Sequence, residues 1–427
     1  MEELNNKEEF QYIKERVKQR PINRKKLMRR MFITASMAVI FGVLACFTFL
    51  VLEPVFTNIL HPEQKPDIVE IPEDTDEILP EDMKLQEETQ TTIKVIEKNT
   101  VVDPMTVYIQ QYDEIYAIAQ DTIKSTVTLT SLTQDTDWFD NEYVSKGTSS
   151  ALYVANNNKE FLFLAYTEKI TNSENISVTF YDGTEAEGTI KQSDSNTGLS
   201  IVSVKMDDVP ASTRDNMKMA TLANSRVSTL LAAPVIAIGR PYGSTESVGY
   251  GIITSKGTTA YLEDQNYEIL TTDIYGSESA TGIIVNINGE VLGIISQQYS
   301  PDDCPNLITA IGISDLKKTI ERMANGREQA YLGVIGTDIT GEIADTLNVP
   351  EGAYVTSIVM DSPAMNAGIQ SGDIIERVGT KIVQNYSDVI DGISSYEPDT
   401  TVNIMLKRQS GEDYTDMTIE VTLKGRQ

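Results

Sequence analysis

LTTDIYGSESATGIIVNINGEVLGIIS, residues 270–296, decides how the chain folds. It holds three short β-branched runs separated by a Gly/Ser turn and by Asn288-Gly289. The Asn-Gly pair predicts a two-residue type I′ hairpin, because both central positions of that turn need φ > 0. Working outward toward the N-terminus, the same texture recurs as TVTLTSL, SALYV, EFLFLAY, NISVTFYDG, TEAEGTI, LSIVSVKM, APVIAIG, VGYGIITS and YEILTTDI, each bounded by Gly, Asn, Asp or Ser. So many short strands predict a mainly β sandwich or barrel. A helix opens this domain, with Tyr108, Tyr112, Ile115, Tyr116 and Ile118 close to helical spacing. Another closes it at Ser314 to Asn325, with Ser314 as the expected N-cap and Gly326 just past the end.

After Gly326 the pattern restarts as a mixture of strands and short helices, including YLGVIGTDIT, GAYVTSIVM, a helix over Ser387 to Tyr396, VNIMLKR and MTIEVTLKG. A stretch of about 100 residues is enough for an independent small domain, here 327–427.

Toward the other end, residues 31–52 (MFITASMAVIFGVLACFTFLVL) carry no charge. About 20 apolar residues suffice to cross a bilayer, so a transmembrane signal anchor is predicted over 31–55. The run is too long, and starts too late, for a cleaved signal peptide. Residues 1–30 carry ten Lys and Arg against five Asp and Glu, which places the N-terminus in the cytoplasm and the later domains outside. Residues 56–104, rich in acids and proline, are expected to be a disordered spacer. His61 is read as a solvated residue within it.

Composition excludes several chemistries. The formal net charge of −28 repels polyphosphate, so no nucleic-acid partner is expected. Two cysteines, Cys46 and Cys304, build no disulfide framework. With one histidine in 427 residues, no zinc-type metal site and no cofactor is expected. Many acids guarantee chance carboxylate pairs, and none stands out.

Specific motifs carry a resemblance. Tyr331-Leu332-Gly333-Val334, Ser362-Pro363-Ala364, Ala367-Gly368-Ile369 and Gly372-Asp373-Ile374-Ile375 resemble a bacterial PDZ domain in order and spacing. Val235 to Gly243 (VIAIGRPYG), Leu270 to Asp273 and Val285 to Ile294 are similar to segments of the trypsin-like domain of the HtrA family of serine proteases. The fold this implies is a trypsin-like double β-barrel over 105–326 followed by an α+β PDZ domain over 327–427, preceded by one transmembrane helix. Relatives assemble as trimers, so the resemblance also implies a homotrimer.

The departures from the family pattern concern the catalytic triad. Thr167 stands in the place of the histidine, Gly198 in that of the aspartate and Ala280 in that of the nucleophile, with Ser279 and Thr281 as neighbouring hydroxyls. A hydroxyl is a weak nucleophile until a nearby base takes its proton. Lys169 is the one sequence-adjacent candidate for a substitute base, and a lysine needs desolvation to serve. Glu278 would place a like charge beside an oxyanion. The expected function is therefore a membrane-anchored peptide-binding protein with a pseudoprotease domain, active in protein quality control or as a scaffold. The alternative is an active serine endopeptidase with an unrecognised base. In the PDZ domain the resemblance assigns peptide carboxylate binding to Tyr331, Leu332, Gly333 and Val334. The helix residues Val389, Ile390 and Ile393 are expected to face either the groove or the core.

Overall fold

A computed structural model describes residues 28–29, 31–44, 66–74, 103–136, 142–167, 170, 176–243, 246–301, 303–411 and 413–426. The chain divides into two compact units, Met1–Lys65 and Pro66–Gln427. In the first, residues 31–44 are helical and exposed. Among the described residues no helix is long and apolar enough to cross a membrane. Residues 45–55 of the predicted span lie outside the described residues, as do His61 and most of the acidic stretch.

In the second unit, twelve strands close into two barrels. The first comprises β1 (Thr126–Thr136), β2 (Glu142–Asn156), β3 (Glu160–Tyr166), β4 (Ile176–Thr179), β5 (Glu185–Asp194) and β6 (Leu199–Lys205), in the order β1-β2-β3-β6-β5-β4. The second comprises β7 (Pro234–Arg240), β8 (Ser247–Leu262), β9 (Gln265–Tyr275), β10 (Thr281–Val285), β11 (Val291–Ile295) and β12 (Leu307–Gly312), in the order β10-β11-β12-β9-β8-β7. Strand side chains alternate between faces, and the EFLFLAY run shows what that does here. Phe161, Phe163 and Ala165 fill the first barrel, whereas Leu162 and Leu164 face the second. On β7, Val235 and Ala237 fill the second barrel while Ile236 and Ile238 meet Leu162 and Leu164 in the shared core. A run apolar at every position is thus a strand buried on both faces.

Glycine sets how closely β7 and β10 approach. Gly239 and Gly282 are register partners, both with positive φ, and a Cβ on Gly282 would lie 2.2 Å from the Ile238 carbonyl oxygen. This close pairing fixes Ala280 and Thr281 at the start of β10.

The predicted Asn288-Gly289 hairpin is present with a different turn. β10 ends at Val285 and β11 begins at Val291, and among the turn residues only Gly289 has φ > 0. The Asn286 side chain explains the longer loop: its Oδ1 accepts from the Asn288 and Glu290 N–H groups, and the Gly289 N–H donates to the Asn286 carbonyl. An Asx turn has displaced the tight one.

The flanking helices are α1 (Pro104–Ile123), capped by Asp103, and α2 (Ile313–Ala324). Gly312 rather than Ser314 is the N-cap of α2. Ser314 instead exchanges bonds with Ser225, its hydroxyl accepting from the Ser225 N–H at 2.8 Å and its N–H donating to the Ser225 hydroxyl at 3.1 Å. An early helical N–H is thereby satisfied from a distant loop. Residues 66–74, inside the stretch expected to be a disordered spacer, lie along α2. Val69 is buried and exchanges hydrogen bonds with the Asn325 side chain, the Ile71 N–H donates to Glu321, and Asp74 pairs with Lys317 at 2.6 Å. Val69 and Ile71 supply the apolar contact that the surrounding charge obscured.

The C-terminal domain contains β13 (Ala330–Tyr331), β14 (Val334–Ile339), α3 (Gly341–Leu347), β15 (Gly352–Ile358), α4 (Pro363–Ala367), β16 (Ile374–Val378), β17 (Lys381–Ile382), α5 (Tyr386–Ser394), β18 (Thr401–Ser410), β19 (Asp413–Thr422) and β20 (Lys424–Gly425). The main sheet runs β14-β15-β16-β18-β19, so β14 is an edge strand, and β13 pairs with β20. The helix expected over Ser387 to Tyr396 starts earlier because Asn385 caps it, accepting from the Asp388 N–H.

Candidate functional site

The cleft between the barrels is the first candidate. Ala280, Thr281, Glu278, Tyr166, Gln297 and Gln298 are among the residues around a cavity of about 120 Å³. Thr167 and Gly198 are neighbours, with the Thr167 N–H donating to the Gly198 carbonyl at 3.1 Å. What they offer is not a base. The Thr167 hydroxyl is buried and shares a 2.6 Å hydrogen bond with Ser200, which in turn donates to Ser193 at 2.7 Å. A chain of neutral hydroxyls has no member that accepts a proton at neutral pH.

The other side of the cleft is equally committed. The Thr281 hydroxyl accepts from the Ser150 N–H at 3.1 Å. The Ser279 hydroxyl is exposed and hydrogen-bonds Ser277 at 3.0 Å. The Ala280 N–H, one of the backbone donors the nucleophile turn would aim at an oxyanion, donates instead to the Ser277 carbonyl at 2.9 Å. Lys169 lies outside the described residues.

The second candidate is the PDZ loop between β13 and β14. Leu332 and Gly333 break the predicted YLGVIG strand into two, with Gly333 at φ +85°. A Cβ there would come within 2.2 Å of the Ser362 side chain, so glycine lets this backbone fold tightly. Three successive N–H groups converge in the loop, and they hold a carboxylate: that of Asp264. Its Oδ2 accepts from Leu332 and Gly333, each at 2.8 Å, and its Oδ1 accepts from Gly333 at 3.0 Å and Val334 at 2.9 Å. Asp264 sits in the two-residue turn that joins β8 to β9, with φ +52°, and is 1% exposed. Its own N–H donates to the Val334 carbonyl at 2.7 Å.

Burial pushes the Asp264 carboxyl up, against the pull of Arg426 and the three N–H donors. Arg426 reaches Asp264 at 3.5 Å and Asp194 of the first barrel at 3.9 Å, with its guanidinium over the Tyr331 ring. Burial, reinforced by Glu263 and Asp264, raises the Tyr331 phenol.

Of the three helix residues expected at groove or core, Val389 and Ile393 are buried in the domain core. Ile390 is half-buried and lines, with Tyr386, Thr337, Asn266 and others, a cavity of about 680 Å³ between α5, β14 and the second barrel. Tyr386, one turn before Ile390, is buried in the domain core, and its hydroxyl donates to the Val334 carbonyl at 2.9 Å. Sequence reading missed Tyr386 because its helix was started one residue late. It missed Asp264 altogether, for an Asp in a hairpin turn has an ordinary local reason to be there.

Two barrels with a cleft between them, followed by a carboxylate-binding loop on a sheet edge, define a trypsin-like peptidase fold joined to a PDZ domain. Residues 141–294 match the trypsin-like peptidase domain family and residues 330–423 the PDZ domain family. The chain thus carries these two domains in that order, and over them it is similar to the serine endoproteases DegP and DegQ. It is 25% identical over 262 residues to the probable periplasmic serine endoprotease DegP-like of Pseudomonas fulva (strain 12-X), covering 59% of this chain and 52% of that protein. To the periplasmic pH-dependent serine endoprotease DegQ of Escherichia coli (strain K12) it is 24% identical over 264 residues, covering 60% and 54%. The chain spans about half the length of these curated relatives. The HtrA-type protease AlgW, solved with a decapeptide, shares the fold with a TM-score of 0.52 at 18% identity, covering 73% of this chain and 99% of that one.

Proposed function

We propose that this protein binds polypeptide C-termini or exposed segments of extracytoplasmic proteins through its PDZ domain, and that its peptidase domain is a scaffold without catalytic activity. The carrying observation is the Thr167–Ser200–Ser193 hydroxyl chain at the position where a proton acceptor is needed. A serine nucleophile gains its reactivity from such an acceptor, and the Ala280 methyl offers no oxygen to activate. The engaged Ala280 N–H supports the same reading, since oxyanion donors contribute about 3–4 kcal/mol to catalysis. The named activity of the relatives, serine endoproteolysis, is what this chain has lost in our reading.

In this account residues 31–55 anchor the chain with a single pass and a cytoplasmic N-terminus, and the folded domains work outside, in quality control or scaffolding. The exposed face of α1 (Met105, Tyr108, Ile109, Tyr112, Tyr116) supports self-association, with a homotrimer as the assembly.

The test is degradation of an unfolded casein substrate by the purified full chain. No cleavage is expected from the wild type or from Ala280→Ser, because a new hydroxyl still lacks its base. Cleavage by the wild type that Ser279→Ala abolishes would overturn the proposal in favour of an active endopeptidase.

A further inference from the structure

We propose that Asp264 is a built-in ligand of the PDZ carboxylate loop, which an incoming chain terminus must displace. The inference rests on the C-terminus-binding reading above and concerns how that site is controlled.

The contacts are those of a ligand. A peptide that docks in this mode delivers a carboxylate to successive loop N–H groups and adds backbone hydrogen bonds along the strand edge. Asp264 does both: its carboxylate takes all three N–H groups of Leu332, Gly333 and Val334, and its N–H bonds the Val334 carbonyl. Two residues on, the Asn266 side-chain amide donates to the Gly336 carbonyl at 3.1 Å. Val334 and Gly336 are alternate residues of edge strand β14, so hydrogen-bonding groups on that free edge are addressed at the strand's two-residue period.

Occupancy is exclusive. The three N–H groups serve one carboxylate, and Asp264 is buried among them, so no second carboxylate fits while it is there. Exchange is balanced in charge: a terminal carboxylate brings the same −1 and leaves Arg426 beside an anion. What an incoming chain adds is further pairing along β14. Room for that exists, because the groove beyond the loop is the 680 Å³ cavity lined by Thr337, Tyr386 and Ile390. The ligand class is therefore a free C-terminus with several residues of extended chain before it. Carboxylate-free segments would not compete.

Two measurements on the full chain test this. In the first, hydrogen exchange is followed at the Leu332, Gly333 and Val334 amides, and binding is followed with a library of decapeptides bearing free C-terminal carboxylates, against matched C-terminal amides. Asp264→Ala is expected to speed exchange at the three amides at least tenfold and to tighten binding of the free-carboxylate peptides by at least tenfold, with no gain for the amides. If wild type and variant bind these peptides equally well, the built-in ligand is overturned while the C-terminus reading stands. If exchange accelerates but neither protein binds any peptide, the C-terminus reading fails and the proposal with it. The second measurement needs no variant. Saturating wild type with the free-carboxylate library is expected to deprotect the Asp264 amide, freed from Val334, and an Asp264 amide that stays protected with peptide bound would overturn the proposal.

Discussion

Arg426 occupies the point where both barrels and the PDZ domain meet. Its guanidinium reaches Asp194 and Asp264 and donates to the Glu263 carbonyl, its N–H donates to the Gln329 carbonyl, and its side chain is 7% exposed. Removing one partner from a buried pair leaves the other charge uncompensated, which costs about 3–5 kcal/mol. Arg426→Met is expected to lower unfolding stability by about 3 kcal/mol in urea denaturation, near the low end because the loop N–H groups still hold Asp264. A loss below about 0.5 kcal/mol, the size of an ordinary surface change, would show that the guanidinium is a bystander. The residue scale is also where the sequence was least legible. Tyr331 to Val334 identified the carboxylate loop, because the short YLGV motif is set by local backbone geometry. Its occupant was hidden, since Asp264 lies 68 to 70 residues away from the N–H groups it binds and nothing near it in the sequence marks that contact.

Among the elements, strands buried on both faces were plain in the sequence because their apolar runs reflect burial directly, as in EFLFLAY and PVIAIG. Turns and caps were less so. Asn286 rebuilt the Asn288-Gly289 hairpin and Ser225 took over the start of α2, both through side-chain bonds that compete with the local preference. Helix α1 divides along its length. Ala119 and Thr122 are buried and Ile115, Ile118 and Ile123 pack on the shared barrel core, while Met105, Tyr108, Ile109, Tyr112 and Tyr116 are exposed at i, i+3, i+4 spacing. Such a stripe covered by other copies would explain its apolar character. Tyr108→Asp with Tyr112→Asp is expected to shift the full chain from trimer to monomer in sedimentation velocity. A wild type that sediments as a monomer contradicts that assignment.

For the whole molecule, most of the core that holds the two barrels lies away from the cleft. The shared core of Leu162, Leu164, Ile236, Ile238, Ile283 and Val285 contains none of Thr167, Gly198 and Ala280, and only Ala280 of the three packs in a barrel's apolar core. Thr167, Gly198 and Ala280 can therefore stand where they do without disturbing the two closed barrels, and fold alone does not imply activity. The same separation explains why the fold was readable in the sequence while the state of each site needed the structure: Thr167 is visible as a departure from a motif, but its bond to Ser200 is a tertiary contact. The most direct test is the intact mass of the full chain after exposure to a fluorophosphonate serine probe. The account predicts an unchanged mass, and a stoichiometric covalent adduct on any serine or threonine of residues 105–326 would contradict it.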